Sequence, residues 1–145
     1  MTGLGLIHLA LMLVALGVGA TVFLRPKGTR THKNIGRIFV VVMLISNAIV
    51  FAIQEDTKGF GVFHAFSVVS CLSIVAGATL ARLGRRVSHA HVMLWSFGGV
   101  CAAGAGQGAV MLNLPPWPFI ILTFLLVGLV AFRANFVLPK PRGQR

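Results

Sequence analysis

Charge is what this sequence has least of. Only 10% of its 145 residues are charged, and just two of them, Glu55 and Asp56, are acidic. Both acids fall in one short segment that reads as a solvated loop, so no candidate span carries a charge at its centre. A transporter with a polar path along the fourth span is therefore the weakest functional reading. Cysteine is nearly as scarce: Cys71 and Cys101 form neither a disulfide framework nor a CxxC pair and read as small packing residues. No basic segment precedes the first apolar run, which is long enough to stay as a span, so no cleavable signal peptide is expected. Strands of alternating polarity, as in a membrane barrel, are absent.

What remains is apolar. Hydrophobic residues make up 57% of the chain and the mean hydropathy is +0.90, more than a water-soluble domain of this size needs. Runs long enough to cross a bilayer recur along the whole length, and in lipid every backbone group must be satisfied internally. The expected fold is thus an all-α integral membrane protein with five transmembrane helices, its first partner the lipid bilayer. The spans read as Gly3–Leu24, a core Ile38–Ile53 whose helix starts near His32 or Asn34, Phe60–Ala81, His89–Leu112, and Phe119–Phe132 extending through Trp117 and Ala134. Thr29 or Thr31 suits the N-cap of the second helix and Ser88 that of the fourth.

The 13 lysines and arginines set a net charge of +11. In a soluble chain that balance points to nucleic acid. Here the basic residues alternate: loop 25–37, loop 82–88 and the tail from Arg133 are basic, while loop 54–59 and turn 113–118 are not. This is the pattern that orients membrane proteins, so no nucleic-acid partner is expected. It places the N-terminus outside and the C-terminus in the cytoplasm.

The basic loops also repeat. Arg25 to His32 and Arg82 to His89 both read R-x5-[ST]-H, and each follows a span with one histidine near its start, His8 or His64. The spacing from His8 to His32 is 24 residues and that from His64 to His89 is 25. We read residues 1–112 as a four-helix core of two repeated hairpins, about 3–54 and 60–112. Residues 113–134 form one extra helix, a peripheral element or an oligomer contact, and 135–145 a basic cytoplasmic tail. Both hairpins run the same way through the membrane, so their pseudo-twofold axis lies along the membrane normal.

In an up-down bundle this axis makes the first and third spans diagonal, and likewise the second and fourth. Two histidine layers follow, His8 with His64 near the outer surface and His32 with His89 near the cytoplasmic one. At about 1.5 Å per residue they lie roughly 20–25 Å apart. In the fourth span His89, Met93, Ser96, Val100, Ala103 and Gln107 form one stripe, polar at both ends and small between, and Gln107 reaches the depth of the outer pair. His64, Ser67 and Cys71 share a face of the third span, and His32, Gly36, Met43 and Asn47 roughly share one of the second.

Facing imidazoles can supply both axial ligands of a haem iron, and a pair near each surface would make a transmembrane electron path. The expected function is therefore a b-type haem carrier between a quinone or other redox partner and an outer acceptor, with Arg25, Arg37, Arg82 and Arg85 available to hold propionates at the inner site. The outer site has only Lys58. The alternative is a non-enzymatic protein that binds zinc or copper through His8, His64, His32 and His89, or assists assembly of a membrane complex. An ion wants three or four donors at one point, so Gln107, Glu55, Asp56, Met93 or His91 would have to complete each pair. The bland reading is that His32, His89 and His91 lie at the interface, where histidine is ordinary. A His–His or His–Gln107 hydrogen bond could lock the bundle, and Asn47 could be interhelical glue. His64 and His8 are harder to dismiss, because ionisable groups inside spans are costly.

His8, the segment Lys27 to His32 through Gly36-Arg37, the Phe63-His64 pair and His89-x3-Met93-x2-Ser96 together resemble an uncharacterised family of predicted bacterial membrane proteins, domain of unknown function 2306. The resemblance covers about residues 5–110. It implies a bacterial inner (cytoplasmic) membrane location and no activity. The two histidine layers also look like transmembrane b-type cytochromes with four-helix, two-haem cores. Many of those carry two ligands on one helix, whereas here four spans carry one each.

Overall fold

The computed structural model describes residues 3–53 and 62–137. The described residues form five helices and no strand: α1 Gly3–Leu24, α2 Arg30–Val50, α3 Val62–Arg82, α4 Arg86–Met111 and α5 Pro116–Val137. Glu55, Asp56 and Lys58 lie outside the described residues, as does the tail from 138 onward.

Local chemistry sets the helix ends. Thr29 caps α2, its hydroxyl accepting from the His32 backbone N–H at 3.1 Å. The α1 carbonyls of Val22 and Phe23 are closed by the Lys27 ammonium at 3.1 and 2.7 Å, a cation at the negative end of the helix dipole. α3 ends on Gly84 at φ 72, with Arg85 N–H donating to the Leu80 carbonyl and Gly84 N–H to that of Ala81. That paired pattern is the Schellman stop, and it needs a residue that accepts the left-handed region. Asn113, φ 55, stops α4 with the same two bonds, Leu114 to Ala109 and Asn113 to Val110. Because Gly84 turns the chain so tightly, α4 starts at Arg86 with no side-chain cap, and Ser88 lies inside the helix rather than at its N-cap. Pro116 opens α5 one turn before Phe119, at the position where a missing N–H costs nothing.

α1 packs on α2, α2 on α3, α3 on α4, and α4 closes the ring on α1. α1 and α3 are therefore diagonal, as are α2 and α4. α5 packs outside, on α4. The centre of the bundle is filled from all four core helices by Ala15, Phe39, Met43, Ile74, Met93 and Val100, each no more than 9% exposed. Phe97 lies beside this layer, seated over Gly19, with its ring 5.1 Å from Phe23 and 6.2 Å from Phe39.

α1, α2, α3 from His64, and α5 to Arg133 are long and apolar enough to cross a membrane. α4 is not among these four candidate spans. Its 26 residues reach about 39 Å, but glycine, serine, histidine and glutamine dilute its hydropathy. α4 contacts α1, α3 and α5, and its small residues let neighbouring helices come close.

Candidate histidine site

The turns 25–29 and 83–85 lie at one end of the bundle, called the basic end below; the α4–α5 turn lies at the other. His32 and His89, in the first turns of α2 and α4, share the basic end. They are close enough for the charge of one to act on the other. His89 donates Nδ1–H to the Gly77 carbonyl of α3 at 2.8 Å. A carbonyl only accepts, so this bond fixes the proton on Nδ1 and leaves Nε2 with the lone pair. His32 is different. The Val22 carbonyl of α1 acts on its ring as an acceptor, and its Nδ1 is buried with no hydrogen-bond partner. Desolvated and unpaired, that atom is the most costly polar group found at this end.

Arg25, Lys27, Arg30, Arg82, Arg85 and Arg86 lie in or beside the turns of this end, and no acidic residue is among the described ones. Partial burial lowers the pKa of Lys27 from the ordinary lysine value. Arg25 and Arg82 are exposed, available to a ligand rather than tied to the fold. Toward the interior, Phe23, Phe97 and Phe39 form an aromatic wall.

At the opposite end the contacts run between adjacent helices. His8 Nδ1 lies 3.1 Å from the Ser46 carbonyl and 3.0 Å from Ser46 Oγ, both on α2. Both oxygens are satisfied together when Nδ1–H donates, which again leaves Nε2 unprotonated. His64 meets α2 as well, its ring centroid 5.6 Å from that of Phe51. Asn47 donates to Ser70 Oγ at 3.0 Å, tying α2 to α3. Ser46, Asn47 and Ser67 are buried. The inward stripe of α4 is buried at Met93, Ser96 and Val100 but exposed at Ala103 and Gln107, and nothing lies within 4 Å of a Cβ placed on Gly108. His91 donates Nδ1–H to the Val87 carbonyl of its own helix.

Of the residues singled out by sequence, His32 and His89 share the end of the bundle that carries the basic turns. The structure ties His8 and Asn47 into side-chain bonds and leaves Gln107 at the surface. Among the described residues no three His, Cys, Asp or Glu side chains come together as a metal cage. Sequence reasoning missed Ser46 and Gly77, and gave Lys27 no role at the site. Ser46 was findable, as a polar residue beside Asn47 in an apolar run. Gly77 carried no signal, because it acts through a backbone carbonyl and through the side chain it lacks.

A family model described as "predicted membrane protein (DUF2306)" matches residues 5–140, further than the 5–110 expected and through α5. No curated protein and no solved structure matches the chain.

Proposed function

The chain belongs to the DUF2306 family of predicted membrane proteins, and from that premise and the site geometry we propose that it holds b-type haem between His32 and His89 and carries electrons across the membrane. One observation carries the reading. A buried, unpartnered imidazole nitrogen on His32 shares the basic end with His89, whose ring is pinned so that its own lone pair stays free. Metal-ligating histidines characteristically have their second nitrogen held by a carbonyl in this way. The bound iron would supply one-electron chemistry. The protein would supply two neutral ligands on diagonal helices, and Arg25, Arg82 and their neighbours would pair with the propionates. His8 and His64 extend the proposal as a second station at the opposite end, where His8 offers Nε2. Five spans built from two duplicated hairpins, with α4 as a true span, belong to the same reading. So does the orientation with basic turns in the cytoplasm of a bacterial inner membrane, with a quinone or another redox partner exchanging electrons.

A second reading has its own observation: His8 is satisfied by Ser46, as a structural clasp would be. The protein would then be a non-enzymatic membrane component that binds zinc or copper or assists assembly of a complex. A reduced-minus-oxidised spectrum of purified protein, expressed with haem precursor, separates the two. We expect sharp haem b bands that are bleached by His32→Ala and by His89→Ala. A flat spectrum from well-folded protein would sink the haem reading and make elemental analysis the next step.

A further inference from the structure

We infer that Gly77 is the positioning residue of the site: its backbone selects Nε2 of His89 as the ligating atom and sets how strongly that ligand donates. The inference rests on the haem reading for its electronic part, and its structural part stands without it.

Gly77 is buried on α3 against α4. A Cβ placed on it would lie 2.5 Å from Met93 Sδ, 3.2 Å from Met93 Cγ and 3.4 Å from Val92 Cγ1. The missing side chain lets α4 approach the α3 backbone, and Met93 fills the space. Met93 is one turn beyond His89 on the same face of α4. Its seating over Gly77 therefore brings the His89 ring down onto the Gly77 carbonyl, 2.8 Å from Nδ1. A helix carbonyl has a second lone pair beyond its intrahelical bond, so it accepts this proton without breaking the helix. Fixing Nδ1–H makes Nε2 the lone-pair atom. The hydrogen bond also raises the basicity of the ring, which favours the oxidised metal.

The corresponding carbonyl for His32 is not equivalent. Val22 O is also bonded by the Lys27 ammonium at 3.1 Å, and a cation on the same oxygen weakens its pull on the imidazole. The two ligands of the site are thus unequal. His89 is the stronger donor and Gly77 is what makes it so. A steric change at Gly77 that never touches the iron should then alter the iron's reduction potential.

Two measurements decide this. In haem-free protein carrying ¹⁵N-labelled histidine, the His89 ring should show the Nδ1–H tautomer, identified by the resonances lost in His89→Gln. An Nε2–H tautomer would overturn the inference whatever the protein binds, and this reading needs no variant at Gly77 that folds. In haem-loaded protein, Gly77→Ala should keep the Soret band but shift the potential upward, and Gly77→Ala/Met93→Ala should return it toward the parent value. An unchanged potential in Gly77→Ala would also overturn it. Protein that binds no haem yet shows the Nδ1–H tautomer would remove the proposed function while upholding the role of Gly77 in fixing His89.

Discussion

At the scale of single residues, the polar groups of the opposite end are stabilised by two bonds between neighbouring helices, His8 to Ser46 and Asn47 to Ser70. Each removes a polar group from an apolar medium, where leaving it unpaired is costly. Hydrogen bonds of this kind in membrane bundles contribute about 0.6 kcal/mol on average and at most about 1.7, because the unfolded chain in the membrane also finds partners. A double-mutant cycle of Asn47→Ala with Ser70→Ala should give a coupling in that range, measured by unfolding in mixed micelles. The same cycle on His8→Ala and His32→Ala should give none, because an apolar layer with Phe39 and Met43 separates them. A clear coupling between those two histidines would mean that the layers communicate.

At the scale of elements, α4 touches three of the other four helices, α1, α3 and α5. Its small residues are contact points: Cβ atoms added at Gly98 and Gly106 would lie 2.8 Å from Val127 Cγ2 and 2.9 Å from Ile120 Cδ1 of α5. Trp95 stacks on Phe124 across the same seam, with centroids 6.4 Å apart. Gly98→Leu should overpack this seam and cost about 1–3 kcal/mol, releasing α5 while the four-helix ring stays closed. In a Trp117→Phe background, a changed Trp95 emission with unchanged helical circular dichroism would report that release. Loss of helicity would show instead that α5 is integral to the core. The glycine stripe was visible in the sequence, but which partner each glycine faces was not. Gly19 receives Phe97 and Gly77 receives Met93, pairings set by how the helices are rotated against one another.

For the whole molecule, the ring of adjacent contacts α1–α2–α3–α4–α1 makes the basic turns 25–29 and 83–85 neighbours at one end. If α4 crosses the bilayer in company with its neighbours, reporter fusions in those two turns should both read as cytoplasmic and one at Asn113 as external. A cytoplasmic reading at Asn113 would mean that α4 does not cross. The pattern would then have four spans, and α5 would carry the C-terminus to the outside.

How much was legible depends on what each property is made of. The sequence alone determined the helical class, the helix positions to within about a turn, the Thr29 cap, the diagonal placement of α1 against α3 and the concentration of cations at one end. These follow from local periodicity, turn chemistry and the cost of placing polar groups in lipid, all of which act over a few neighbouring residues. Only the tertiary structure decided that His8 engages Ser46, that the α4 stripe is buried at Met93 and exposed at Gln107, that Ser88 lies inside a helix, and that His89 is held by a glycine carbonyl. Those outcomes depend on helix rotation and approach distance. Both emerge from the joint packing of small and large side chains across the bundle, and no single stretch of sequence encodes them.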